Sequence, residues 1–208
     1  MLLLCAIPLL VYGVSTIAIE ALERGLLNVR RPWRALQPEM RTTWCVLLAQ
    51  AISNAVASRI FVRAQPHAKD ILIGMAIVDT AEYWCHRAMH RSVWAYRHMH
   101  RTHHAVSPQP AYALLNSSLE SMSTGLVVGV GVWTFGVSWE SFIVVMCLAS
   151  AKTVWDHSAF SKGHALHHQH PQYNFEQPFC HLWDHAMGTF KKVPPHATQT
   201  KPERHSKR

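Results

Sequence analysis

Paired cysteines are missing from this chain. Its five cysteines, Cys5, Cys45, Cys85, Cys147 and Cys180, form no CxxC pair, and four of them lie in or beside apolar stretches. That pattern argues against a disulfide framework and points to a reducing or bilayer setting. Charge is also scarce: charged residues make up 15% of the chain, with 12 Asp and Glu against 20 Lys and Arg. The basic residues sit in a few blocks between apolar runs, without the stripes of Lys and Arg interleaved with stacking aromatics that a nucleic-acid binder needs. No repeat of solenoid period is present. The opening run, MLLLCAIPLLVYGVSTIAIE, has neither a basic leader nor an obvious small-residue cleavage site, and reads as a retained membrane anchor.

What the chain does have is apolar length. Hydrophobic residues make up 49% of it, gathered in runs at about 2–19, 44–62, 71–83 and 122–154. A helix crossing a bilayer needs roughly 20 apolar residues. The last run, broken by GVSWES at 136–141, can therefore form a hairpin of two short spans, and the third must continue into the region that follows it. Arg24, Arg30, Arg31, Arg34 and Arg41 lie in or beside the segment between the first two runs, and a second basic block closes the chain. Positive loops near spans stay on the cytosolic side. The expected fold is all-α: a multi-span transmembrane helical stem with a cytosolic, histidine-rich helical cap. Residues 1–193 form one domain, and 194–208 form a basic disordered tail.

The cap is where the chemistry concentrates, since 16 histidines are present. His86 and His90 are four apart, so on a helix they share a face. His100, His103 and His104 form an HxxHH box, His164, His167 and His168 form another, and WDHSAF adds His157. One metal ion accepts at most about six ligands. Nine imidazoles therefore fit two ions with positions left open, and open positions mark catalytic sites. Imidazole suits zinc, copper, iron and nickel alike, so residue type does not name the metal. Metal-bound histidines donate their second ring nitrogen to a carboxylate or carbonyl. Asp79 and Glu82, seven and four residues before His86, and Asp156 and Asp184, which flank the later boxes, are the expected acceptors. His98 is expected to pack or support. His67, His170, His181, His185, His196 and His205 are expected at the surface.

The pieces DTAEYWCHRAMH, YRHMHRTHH, AYALLNSSLES, KTVWDHSAF, HALHHQ and YNFEQPFCHLWDHAMGT resemble the fatty acid hydroxylase (sterol desaturase) superfamily over about residues 12–190. The last piece is most like the sphingoid-base (sphinganine) 4-hydroxylases. The resemblance implies a multi-pass enzyme of the endoplasmic reticulum membrane that binds two iron ions and uses molecular oxygen. Electrons would come from cytochrome b5 and NAD(P)H through its reductase, and the product would be the carbon-4 hydroxylated form of sphinganine or dihydroceramide. It also implies that His86, His90, His100, His103, His104, His157, His164, His167 and His168 are the metal ligands. Such chemistry suits an unactivated methylene, which has no acidic proton or leaving group for acid–base or nucleophilic attack.

Three features depart from that subfamily. Asn116, Ser117 and Ser118 stand where Asn-His-Pro is usual, Trp155 and Asp156 stand where paired aspartates are usual, and only six residues separate His157 from His164. Alternatives within the superfamily are a sterol or fatty-acyl hydroxylase or desaturase. Outside enzymes, the alternative is a non-catalytic metal-binding homologue.

Overall fold

In a computed structural model of the chain, residues 2–29, 40–175 and 177–192 are described. Among them every regular element is helical: α1 (Leu2–Leu27), α2 (Met40–Ala57), α3 (Ala68–Arg91), α4 (Val93–Ala95), a π-helical turn (Tyr96–His100), α5 (Arg101–His104), a 3-10 turn (Pro110–Tyr112), α6 (Ser118–Thr134), α7 (Trp139–Asp156), α8 (Gly163–Gln169) and α9 (Leu182–Ala186). The arginines at 30, 31 and 34 and the basic tail lie outside the described residues.

Local chemistry sets the helix starts. His67 caps α3 by accepting from the Lys69 amide at 3.2 Å, so it serves as a helix cap as well as a surface residue. Ser117 and Ser138 cap α6 and α7 in the same way. The run at 122–154 breaks where expected. Gly136 turns at φ 62, a left-handed backbone conformation that suits glycine, and Asp70 of α3 accepts from the Ser138 amide at 3.2 Å.

The five long helices make the stem. α1 packs along α7 and against α2, while α3 packs on both α6 and α7. The main core joins Val78 and Ala81 of α3, Val128 and Val132 of α6, and Trp139, Phe142, Ile143, Val145 and Ala149 of α7. At the α3–α7 crossing a Cβ on Gly74 would sit 3.0 Å from Val145 Cγ2, so the absent side chain is what lets the helices close. A second core gathers Tyr12 and Ile19 of α1, Leu47 of α2, Ala113 and Val154, with the Tyr12 hydroxyl donating to the Ala111 carbonyl at 2.9 Å.

The apolar runs and the helices differ in extent. α3 runs unbroken from the third apolar run through His90, so one rigid rod joins stem to cap. Among the described residues one helix is long and apolar enough to cross a membrane, at Ala6–Leu27 with mean hydropathy 1.5. α6 and α7, at 17 and 18 residues, stand at the short end of the range of about 17–25 that a crossing helix spans. The stem nevertheless presents apolar stripes outward: Leu10, Val14 and Ile17 on α1, Leu48, Ile52 and Val56 on α2, and Met122, Leu126, Val130 and Trp133 on α6. Contiguous exposed apolar surface of this kind marks a membrane or protein interface.

Candidate metal centre

The histidines converge at the end of α3. His86 and His90 project from its last turns, one turn apart on one face. The chain leaves α3 at Ser92, whose hydroxyl caps α4 by accepting from the Ala95 amide at 3.2 Å. It then passes through the π-helical turn that ends at His100 and enters α5 with His103 and His104. π turns are frequent at functional sites. His157 follows the last residue of α7, and α8 carries His164, His167 and His168.

All nine expected ligands come together, and they divide into two groups. His86, His90, His100, His104 and His167 form one, and His103, His157, His164 and His168 form the other, with ligand atoms within 4.8 Å of one another in each. Each HxxHH box is split: its first and last histidines join one group, and its middle histidine joins the other. In the five-histidine group Nε2 of His104 lies 3.1 Å from that of His90 and 3.0 Å from that of His100, and His167 lies 3.0 Å from His90. In the four-histidine group Nε2 of His103 lies 3.1 Å from His164, 3.2 Å from His168 and 3.4 Å from His157.

These separations fit metal coordination. Nitrogens at about 2.0–2.1 Å from a divalent ion are about 3.0 Å apart on an octahedral edge and about 3.4 Å apart on a tetrahedral one. His86 Nε2, buried without a hydrogen-bond partner, belongs to the five-histidine group. The donor set therefore fits two first-row ions.

The second ring nitrogens orient the rings. Nδ1–H of His86 donates to the Phe175 carbonyl, that of His167 to the Tyr173 carbonyl and that of His157 to the Thr153 carbonyl, each at 2.8 Å. His100 Nδ1–H donates to Glu120 Oε1 at 2.7 Å. Each such bond holds the proton on Nδ1 and leaves Nε2 as a lone pair. Burial pushes His86 and His157 down to about 4, and His104 to about 3. Burial and then neighbouring imidazoles drive His103, His164 and His167 well below the usual range. The rings are thus neutral at ordinary pH, the state a ligand needs.

The four expected carboxylate acceptors are placed elsewhere. Asp79 accepts from the Phe179 and Cys180 amides at 2.9 Å each, and so holds a loop. Asp156 pairs with Lys152 at 2.5 Å. Asp184 accepts from the Phe175 amide at 3.1 Å, from Gln177 Nε2 at 2.9 Å and from the Thr189 hydroxyl at 2.7 Å, and so supports the segment whose Phe175 carbonyl holds His86. Glu82 shares a helix face with His86, but His86 Nδ1 is already committed to Phe175. The acceptors are mostly backbone carbonyls, which side-chain spacing does not reveal.

The acceptor missed from the sequence is Glu120. Its place three residues after Ser117 reads as a capping box, in which the glutamate turns back to the cap. Here the Ser117 hydroxyl does accept from the Glu120 amide at 3.1 Å, but the carboxylate goes to His100. A carboxylate leading an apolar run is the signal that could have marked it. His98, expected to pack or support, is exposed and packs on Trp94, with its Nδ1–H on the Trp94 carbonyl at 2.9 Å.

A cavity of about 100 Å³ adjoins both groups. His86 and His100 of one group and His103, His157 and His164 of the other line it, together with Glu82, Asn116, Glu120 and Asp156 and the apolar Met89, Leu114 and Phe175. A separate outer depression of about 230 Å³ is lined by Arg87, Arg91, Gln172 and the edge of His90.

Comparison with known proteins adds three findings. The fatty acid hydroxylase family model matches residues 71–189. A very-long-chain aldehyde decarbonylase (GL1-9) of Oryza sativa subsp. indica is 30% identical over 197 residues, covering 84% of this chain and 72% of that protein. Two sphinganine C4-monooxygenases of Arabidopsis thaliana also match: number 2 at 34% over 141 residues, 59% of this chain and 54% of its own, and number 1 at 28% over 220 residues, 88% and 85%. No solved structure matches the chain at a significant level.

Proposed function

The chain belongs to the fatty acid hydroxylase family, and from that premise we propose that it is a membrane di-iron monooxygenase that hydroxylates carbon 4 of sphinganine or dihydroceramide. The observation that carries this reading is the pair of adjoining histidine groups opening onto one cavity. The relatives named for sphinganine C4 oxidation cover most of the chain between them and support the substrate class.

His86, His90, His100, His104 and His167 would hold one iron ion and His103, His157, His164 and His168 the other, and the bound pair would supply the oxygen activation that an unactivated C–H bond requires. The balance is one methylene, one molecule of oxygen, two electrons and two protons giving one secondary alcohol and one water. The protein's own part is positional. Phe175, Tyr173, Thr153 and Glu120 fix the imidazole orientations. The apolar Met89, Leu114 and Phe175 on the cavity wall limit the water around the reacting carbon.

The apolar stripes of α1, α2 and α6 face lipid in this reading, which makes the stem a multi-span element of the endoplasmic reticulum membrane with the cap in the cytosol. Cytochrome b5 and its reductase deliver the electrons from NAD(P)H. The exposed arginines of the cap, among them Arg91, Arg97 and Arg101, suit an acidic donor of this kind.

Expression in cells lacking their own sphingoid 4-hydroxylase, followed by lipid mass spectrometry, tests the proposal. Phytosphingosine is expected with the wild-type chain and not with His167→Ala; stable wild-type protein without that product rejects it. A second reading, oxidation of a very-long-chain aldehyde, is favoured by the similarity to the rice decarbonylase. Alkane production in the same lipid extracts would select it.

A further inference from the structure

Of the carboxylates around the histidine groups, Glu82 is the one that the fold leaves uncommitted. Asp79 holds the loop at Phe179 and Cys180, Asp156 holds Lys152, Asp184 holds Phe175 and Gln177, and Glu120 holds His100. Glu82 makes no hydrogen bond or ion pair to a described residue, yet its side chain forms part of the cavity wall that both histidine groups share. The same wall includes Glu120, 6% exposed, whose Oε2 is buried with no hydrogen-bond partner. Among the described residues no lysine or arginine lines this cavity, and the third carboxylate of its wall, Asp156, is paired with Lys152. Ions held by the two histidine groups would offset part of this charge, yet a buried carboxylate that lacks a hydrogen-bond donor is still costly to maintain, so the Glu82 side of the cavity suits an occupant that brings donors and a cation.

Size narrows the occupant. A cavity of about 100 Å³ takes a head group of a few heavy atoms and not a long alkyl chain. The carbon held against the histidines therefore lies within a few bonds of that head group. An aldehyde, a hydrocarbon end or a sterol edge offers Glu82 no cation, and an N-acylated base has lost the charge on its nitrogen.

We propose that Glu82 is a specificity-determining residue that pairs with the ammonium of an unacylated long-chain amino alcohol and so sets the nearby chain carbon against the two histidine groups. This rests on the sphingoid reading above and adds to it that the free base, not the ceramide, is the preferred substrate.

The test uses the full metal-loaded chain in lipid nanodiscs, with sphinganine and N-acetylsphinganine as probes in equilibrium binding and in turnover. Wild type is expected to bind sphinganine at least about tenfold more tightly, a difference of the size one well-placed charged contact supplies. In Glu82→Gln that preference collapses about tenfold while two ions per chain are retained, and in Glu82→Asp, which keeps the charge, it survives in part. Equal binding of the two probes by wild type, or a preference unchanged in Glu82→Gln, overturns the inference. Loss of metal in Glu82→Gln with the preference intact assigns the residue to the metal site and overturns it as well. Should Glu82→Gln not fold, the wild-type comparison and Glu82→Asp still decide. A wild-type chain that binds neither probe and hydroxylates neither refutes the sphingoid reading itself, an outcome separate from either result on Glu82.

Discussion

The five-histidine group and the four-histidine group draw on the same two HxxHH boxes, yet they are held differently. The first collects His86 and His90 from a long rigid helix, and three of its rings are tied down by Phe175, Tyr173 and Glu120. The second has His157 tied to its own helix at Thr153, while His103 Nδ1 is buried without a partner. Nε2 spacings are 3.0–3.1 Å in the first and 3.1–3.4 Å in the second. The lesson is that one sequence motif yields two unequal sites. A helix advances about 100° per residue, so positions i and i+4 lie about 40° apart while i+3 lies about 60° to the other side. His100 and His104 therefore join one group and His103 the other, and α8 mirrors the arrangement with His164 and His168 opposite His167.

The strongest way to break this comparison is to remove one ligand from each group. His167→Ala and His103→Ala are each expected to abolish turnover and to lower metal content from two ions per chain to one, the ion that stays belonging to the untouched group. Elemental analysis with X-ray absorption spectroscopy reads this directly. Loss of both ions from either variant would mean that the groups do not act as separate sites.

Acid should fail to distinguish the groups, because each contributes a buried ring of similar character. His86 and His157 sit at about 4 in the folded chain, against about 6.5 unfolded. The unfolded state thus binds more protons between these values. Stability of the metal-free protein is present above pH ~6.5 and is lost as pH falls toward ~4, by up to about 3 kcal/mol for each ring. Chemical denaturation at a series of pH values measures it, and a flat profile across that window would contradict the neutral-imidazole picture.

Glu120→Gln should sharpen the contrast. Removing the charged acceptor from His100 is expected to weaken one of the two ions by about 10–100-fold, as losses of such supporting partners do elsewhere, and to leave the other unchanged. Chelator competition that detects both affinities gives the answer, and equal weakening of the two would mean that Glu120 supports the whole centre. The smallest effect is expected from Asp184→Asn. It loosens the Phe175 segment that positions His86, lowering stability by about 1–3 kcal/mol and weakening the five-histidine group's ion by less than Glu120→Gln does. Thermal melts with and without metal separate the two contributions.

Much of the site is legible in the residue order. The nine ring-bearing positions, the break near Gly136 and the continuation of the third apolar run into the histidines all follow from spacing and apolar periodicity. Their partners do not. Asp79, Glu82, Asp156 and Asp184 are carboxylates at plausible offsets, but a ring nitrogen finds whatever acceptor the fold brings closest, and here that is the carbonyl of Phe175, Tyr173 or Thr153. Backbone carbonyls occur at every residue and leave no mark in a sequence. Glu120 escapes for another reason: its local role at the start of α6 is sufficient to explain it.

The amino-acid sequence alone therefore determined the helical class, the inventory of imidazoles and a donor set too large for one ion, because residue type and helical period act locally. Tertiary structure alone decided which histidine joins which group, which partners orient the rings and which carboxylate stays uncommitted in the cavity. Those outcomes depend on distances between helices far apart in the chain, such as the 77 residues between His90 and His167, and no local rule sets them.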